Sequence, residues 1–551
     1  MTPRYRWAST GDINAFFGLI LDNIAGLILI VSLLHENFGF PVPFALRYMI
    51  PGTAIGVLMG DLMFFFLALR LAKTSGSSSV TAMPLGIDTP STFGMAFFVL
   101  GPAFAAAKNV GMDADAAAYH AWQIGICSIF LCGVIKMICA IGSGMMRRMI
   151  PRAGLLGSLA AIALVLISFF PLLEVLKYPL VGLVSLAIIL TALVGRVPLP
   201  LKIPGAVGGL IVAGLLYAFM SHFEFIKPAA QSFKPEQGLW PTEWLGALSF
   251  SWMGVMGETM NYLPLIIPFA LATVVGGIDC TESAAAVGDH YDTRTVIAIE
   301  AIATFGAAAF GAVLQTTPYI GHPAYKAMGG RAAYTLATAI AMGLLGVTGL
   351  FGYFYQFIPA AAVFPILVFV GLEIGAQSFI ATPKRHYTAV ALACVPALAV
   401  LAVNFMDQIW PDPNILNFGN NPAFQDKAEL VSKVHTAQLL SRGFILTSII
   451  WASALALAID RKLVASGIYY FVGALCTLFG LIHSPLPTAP IHFPFPMPGI
   501  PESIVLDESM RPEMWNWCLG YAIVGVLMIA WAYYLKATKQ EESEYDLTES
   551  P

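Results

Sequence analysis

The chain has 551 residues, 58% of them apolar and only 11% charged, with a mean hydropathy of +0.77. A soluble domain carries about 25% charged residues, so this composition excludes a soluble protein and identifies a polytopic membrane protein. The formal net charge is −4, and no basic patch stands away from the membrane flanks, which excludes nucleic acid as a partner.

The opening MTPRYRWASTGD lacks the basic, apolar and small-residue pattern of a signal peptide. The first apolar run is therefore read as a genuine span. At about 20 apolar residues each, spans are expected at 14–35 and 45–71. Residues 80–93, VTAMPLGIDTPSTF, then break the pattern. Pro84 and Gly86 suit an extended piece, Asp88 and Thr89 a polar cap, and Pro90 the first turn of a helix. A half-helix at 88–107 follows, then spans at 118–142, 153–174, 178–195 and 204–221. The tryptophans of 240–258 suggest an interfacial helix. Spans at 259–286 and 294–314 lead to a second break, LQTTPYIGHPAYKAMGGR at 314–331. Its grammar is the same: polar residues, Pro318, His322 as cap, Pro323, and a half-helix over 322–330. Spans at 332–353, 357–376, 386–404 and 441–460 complete a second half. Two more, 465–484 and 514–536, follow. The loops 405–440 and 485–513 are rich in Pro and aromatic residues and resemble lids. The acidic tail 541–551 is expected to be disordered. With this span order and the N-terminus inside, basic residues favour the inside flanks by roughly two to one. Both termini are then cytoplasmic, and a bacterial inner (plasma) membrane is the expected location.

Irregular backbone at membrane depth is tolerated only inside protein or along a water-filled cavity. Matching breaks in two halves of a chain point to a solute site of the kind secondary transporters build. The plainer alternatives are a Pro-kinked helix or an empty re-entrant loop. Ionisable residues inside spans narrow the search, since each costs a few kcal/mol at mid-bilayer. They are Asp22, Asp61, Asp88, Lys136, Asp279, Glu282, Glu300, His322 and Glu373. Asp279 and Glu282 are three apart and share a helix face with Ser283. Gly276 and Gly277 beside them allow close approach. Asp22 and Asn23, in GLILDN, have a similar setting to VGGIDC, as if each opened a repeat. Asp61 is a candidate, and its plainer alternative is an ordinary buried ion pair with Lys136. Glu300 and Glu373 read as inter-helix hydrogen-bonding groups.

The expected site is one polar cluster of Asp22, Asp88, Asp279, Glu282 and His322 where the half-helices meet. Packed carboxyls in low dielectric cannot all stay ionised, so Asp279, Glu282 and His322 are the expected coupling residues for a proton or other cation. Tyr319 and Phe93 would give flat surface to a ring. Asn23, Thr89, Ser283 and the free backbone N–H groups of 89–92 and 323–325 would give polar contacts. The seven cysteines lie in or beside apolar runs without CxxC spacing, so neither a disulfide framework nor a zinc site is expected. No metal or cofactor is expected. No HExxH, GxSxG or phosphate-binding glycine loop occurs, so an enzyme is not expected. A channel remains a further alternative.

The run YIGHPAYKAMGGR resembles the YxE-small-residue-GGR stretch of the nucleobase–ascorbate transporter (xanthine/uracil permease) family, closest to its adenine/guanine/hypoxanthine permease branch. VGGIDCTESAAAVGD resembles that family's eighth span, where an acidic residue contacts the base. The resemblance covers about residues 12–460. It implies an all-α inverted repeat of seven plus seven spans, with core and gate domains and two broken helices, each a short strand plus a half-helix. The ranges are then 1–230 for the first repeat, 231–258 for an extracytoplasmic loop, 259–460 for the second repeat and 461–540 for two extra spans. It also implies that spans 1, 3, 8 and 10 surround a small substrate, with H⁺ or Na⁺ as the coupling cation and, as further partners, the bilayer and a second copy of the chain. Asp279 falls on the eighth-span acid. Gly321 stands where the family's tenth-span acid would be, and Asp88 and His322 are additions. Sulfate-permease-type anion carriers share the fold, so an anion or other small-solute carrier is the alternative. The aspartate capping one half-helix and the acids nearby, with no arginine beside them, weigh against a free anion.

Overall fold

The computed structural model describes residues 5–200, 203–226, 233–319, 321–409, 428–486, 492–496 and 505–538. Helices α1 (Gly11–Phe38) and α2 (Ile50–Ser75) lead into strand β1 (Leu85–Ile87) and helix α3 (Thr89–Asn109). Then come α4 (Ala114–Met149), α5 (Arg152–Leu176), α6 (Pro179–Leu193) and α7 (Gly205–His222). The second half repeats the order. Helices α8 (Leu263–Ala286) and α9 (Thr293–Ala309) lead into β2 (Thr316–Pro318) and the six-residue half-helix α10 (His322–Ala327). There follow α11 (Ala333–Thr348), α12 (Ala360–Ile380), α13 (Tyr387–Ile409) and α14 (Phe444–Ile459), then the extra pair α15 (Leu463–Leu478) and α16 (Arg511–Ala537).

Strands β1 and β2 pair antiparallel, with Gly86 opposite Thr317. Two like-ordered halves whose breaks meet head to head make this an all-α membrane fold of inverted-repeat type with two broken helices. Among the described residues, ten helices are long and apolar enough to cross a membrane, or up to twelve if each of two bent pairs counts as one span. The chain is therefore a multi-pass integral membrane protein. The bent pairs are α11 with Phe351–Phe357, at 88°, and Glu429–Ser441 with α14, at 82°.

Three expectations need correction. Helix Ala428–Ser441 occupies the end of the 405–440 stretch read as loop. Glu429, Lys433 and His435 make it too polar for a span, and that hid it. The 240–258 stretch is a chain of short turns, Glu243–Ser249, Ser251–Val255 and Met256–Thr259, and not one interfacial helix. Trp244 and Trp252 are buried there and donate to the carbonyls of Pro241 and Ala247. The second half-helix stops at Ala327, short of 330, because Gly329 turns the chain with φ +83°. The tail 541–551 and most of 485–504 lie outside the described residues.

By contacts, one compact unit comprises Met1–Arg147 and Ile162–Gly375, and the other Arg148–Ala161 and Ala376–Pro551. This division cuts across the ranges 1–230 and 259–460. Every element that positions the candidate site belongs to the first unit. There α2 passes the turn that ends α9 at close range: a Cβ on Gly52 would lie 2.3 Å from the Phe310 carbonyl oxygen and 2.6 Å from the Ala312 nitrogen. Backbone cannot yield as a side chain end can, so Gly52→Ala should destabilise the protein by about 1–3 kcal/mol. A lowered unfolding midpoint in detergent checks this, and an unchanged midpoint refutes it.

Candidate functional site

A two-stranded ribbon buried among membrane helices must satisfy both of its outer edges. Side chains do so here. On the β1 edge, the Leu85 N–H donates to Asp61 Oδ1 at 3.1 Å and the Ile87 N–H to Asn23 Oδ1 at 3.0 Å. On the β2 edge, Lys136 Nζ donates to the Thr316 carbonyl at 3.1 Å and Cys280 Sγ to that of Pro318 at 3.3 Å. The ends are tied by backbone, Asp88 N–H to Gln315 O at 3.0 Å and Tyr319 N–H to Pro84 O at 2.8 Å. Asn23 and Cys280 hold corresponding places, each following an aspartate on the first helix of its half. Asp22 and Asp279 are thus a matched pair beside the junction.

Lys136 does not pair with Asp61, as its sequence setting suggested. It pairs with Glu300 of α9 at 2.7 Å, both side chains fully buried, and lies 3.4 Å from Thr304 Oγ1. A buried charge needs a partner. Here that need places a fixed cation directly behind β2.

The two half-helices start differently. Asp88 caps α3, accepting the Ser91 N–H at 3.0 Å and Gln315 Nε2 at 3.3 Å. At α10 the N-cap is Gly321, not His322, and no side chain caps it. The Ser91 N–H goes to the Asp88 carboxylate, the Thr92 N–H to the Asp88 carbonyl, and those of Ala324 and Tyr325 to Gly321 O. Those N–H groups were expected to reach a solute, but helix and cap use them. Phe93 is fully buried and its ring lies 6.0 Å from Phe170 and 6.4 Å from Phe97, so it belongs to the core behind the junction. Thr89 is buried as well.

The open side is formed by α8. Its inner face packs: Cys280 on Pro318, and Gly277 so near Glu300 that a Cβ would sit 3.0 Å from Oε2. The adjoining face carries Gly276, Asp279, Glu282 and Ser283, all half-buried, and a Cβ on Gly276 would meet nothing within 4 Å. Half-buried Tyr319 stands at the end of β2, within electrostatic reach of Asp22, Tyr325 and Glu373. Its ring closes on Gly321, where a Cβ would lie 2.7 Å away. Asp22 is buried, with its Oδ2 3.5 Å from where a Gly86 Cβ would stand. The structure thus gathers Asp22, Asn23, Tyr319 and Gly321 at the junction, beside the α8 face of Asp279, Glu282 and Ser283.

His322 has a partner the sequence did not suggest. Its Nε2 lies 2.9 Å from Asp289 Oδ2, and Lys326 Nζ lies 2.7 Å from Asp289 Oδ1. Asp289 sits in the α8–α9 linker, outside the spans in which candidate residues were sought. Asp289, Gln315 and Lys326 were not among the expected site residues, and Lys136 was singled out only as an ion-pair partner. For Asp289 the available signal was the titratable run DHYD at 289–292, directly after the acid-bearing helix. The GGR turn is held from the other side. The Arg331 N–H donates to Asp12 at 2.8 Å, Ser9 Oγ donates to the Gly329 carbonyl, and the Ala332 N–H donates to Trp7 O at 3.0 Å. Among the described residues no group of three or more His, Cys, Asp or Glu is arranged to hold a metal ion. The second unit holds a cavity of about 460 Å³ lined by Trp451, Tyr470, Trp517 and Tyr521.

No family model matches the sequence, and no curated protein matches it. The resemblance to nucleobase permeases therefore rests on its motifs alone. Among solved structures, the chain is similar to the transmembrane domain of a cyanobacterium bicarbonate transporter, BicA, at 15% identity and a TM-score of 0.44, over 73% of this chain and 97% of that one. It is similar to SLC26A9 at 12% identity and a TM-score of 0.46, over 82% of this chain and 65% of that one. For murine SLC26A9, described as an anion transporter in the inward-facing state, the values are 13% and 0.40, over 73% and 69%. Likeness at this level says nothing of what this chain carries.

Proposed function

We propose that the protein is a secondary active transporter that binds a small polar heterocycle, nucleobase-like in size, at the β1–β2 junction and couples its movement to a cation. One observation carries the reading: two buried three-residue strands pair head to head, each followed by a helix start, beside a half-open face bearing Asp279 and Glu282. Broken helices of matching position are where such carriers bind. A carboxylate accepts the N–H groups of a heterocycle, Tyr319 offers a ring face, and acids at an open face take up H⁺ or Na⁺. With Asp88 already occupying the α3 N-terminus, a free anion gains little there. No carboxylate caps α10 as Asp88 caps α3, and an anion carrier is the second reading. A thermal-shift screen of purified protein against purines, pyrimidines, ureides and inorganic anions separates the two, since a ligand of the folded state raises its melting temperature. Stabilisation by a heterocycle supports the first reading. Stabilisation by bicarbonate, sulfate or chloride alone overturns it.

The cytoplasmic placement of both termini, expected from basic flanks, is part of this reading. Protease accessibility of a tag on the Lys536 side in sealed vesicles checks it.

A further inference from the structure

Asp289 is the only carboxylate that the described contacts give to two basic groups of α10, His322 and Lys326, and both of its oxygens are engaged there. Its Oδ2 also accepts the Thr81 N–H at 3.2 Å. Thr81 stands at the approach to β1, and its Oγ1 donates to Gly330 O at 2.8 Å. The Tyr291 hydroxyl donates to Thr81 O at 2.6 Å. One fully buried carboxylate thus joins three segments: the α8–α9 linker, the half-helix of the second repeat and the strand approach of the first.

Charge counting shows what this knot can sense. Asp289 balances one cation, and Lys326 supplies one. His322 is fully buried, and its Nδ1 has no hydrogen-bond partner among the described residues. A proton arriving at Nδ1 would leave an excess positive charge on His322 and Asp289, both fully buried, with half-buried Lys326 already balancing the carboxylate, and low dielectric penalises that charge. The other groups facing the trio do not cancel it. Tyr291 presents its ring edge to His322, with centroids 6.1 Å apart. Tyr5 is within electrostatic reach of Asp289, Asp12 and Arg331. Asp12 is already engaged by the N–H groups of Arg331 and Tyr334, and His290 is exposed.

We propose that Asp289 is a positioning residue that locks α10 to the approach of β1, and that protonation of His322 releases the lock. The proposal rests on the transport reading only for its use, as the step that frees the second half-helix to move. Burial pushes the Asp289 carboxyl up, but the hydrogen bonds and charges of His322 and Lys326 outweigh this and hold it below the usual carboxylate range. The carboxylate therefore stays charged as acid is added, and the unpartnered Nδ1 of His322 is where the trio can take up a proton.

The test needs no ligand. Hydrogen exchange is followed at peptides covering Thr81 and residues 322–327 of the full chain in lipid nanodiscs, at pH 8 and pH 5, with rates corrected for intrinsic exchange. The wild type should lose about tenfold protection at both peptides on going to pH 5, a local opening and not a global one. His322→Gln should stay protected at both pH values. Asp289→Asn should be open at both, while peptides from α1 and α2 keep wild-type protection and show that it folds. Equal protection of the wild type at both pH values, or wild-type pH behaviour in His322→Gln, overturns the proposal. Uptake of a radiolabelled purine, measured separately, tests the transport reading and leaves this result untouched.

Discussion

Asp279→Asn should abolish uphill uptake while leaving the protein folded and inserted. Asp279 lies on the half-open face of α8, next to Cys280, which ties that helix to β2 at Pro318. A carboxyl there feels both the solute and the junction, so occupancy of one changes the charge the other prefers. Asparagine keeps the shape and removes the titration. A carrier without coupling free energy only equilibrates its solute. In proteoliposomes with an imposed proton gradient, the variant should therefore bring its heterocycle to an inside-to-outside ratio of about one, against accumulation by the wild type. Ligand-induced thermal stabilisation should persist, weakened. Normal accumulation by Asp279→Asn would remove Asp279 from the mechanism. Accumulation by the wild type under a sodium gradient alone would keep the site and change the coupling cation.

The second large effect concerns stability. Lys136→Met should cost about 3–5 kcal/mol, because removing one partner of a buried ion pair leaves the other charge stranded. Both side chains of the Lys136–Glu300 pair have no solvent exposure, and the Thr316 carbonyl on the β2 edge would lose its donor as well. The double variant Lys136→Met with Glu300→Leu should regain most of the loss, since replacing a whole buried pair by apolar groups is often close to neutral. Unfolding midpoints of the three proteins in detergent, followed by tryptophan fluorescence, check this. A single variant as stable as the wild type would mean that Glu300 has another neutralising partner.

What was legible in the sequence, and what was not, follows from distance along the chain. The breaks announce themselves locally: Pro84, Gly86 and Pro90, then Pro318, Gly321 and Pro323, forbid a continuous helix, and the structure puts strands at 85–87 and 316–318. The Asp88 cap was readable for the same reason. The partners of charged groups were not. Lys136 meets Glu300 and a carbonyl 180 residues away, a contact set by α4 crossing behind β2. Nothing near Lys136 separates that outcome from a pair with Asp61. His322 was assigned to the acids of α8 because both stood beside a break, yet the linker after α8 brings Asp289 to it. Phe93 was expected to give flat surface to a ring, and its aromatic neighbours Phe97 and Phe170, contacts made within the fold, were not readable from the sequence.

The hold on the GGR turn also bears on how the protein is made. Ser9 bonds to a residue 320 positions later, and Trp7 and Asp12 reach the same turn. At translation rates of about 5–20 residues per second, some tens of seconds separate the two sides of that contact. The β1 edge can find Asn23 and Asp61 at once, but β1 waits for β2 over a comparable interval. The first repeat is therefore inserted as an unfinished body, its ribbon half-paired, and the junction is completed only after the second repeat has been threaded beside it. Fusion partners placed against Trp7–Asp12 would burden this last assembly step, whereas the same partners placed beyond α16 would meet a site already closed.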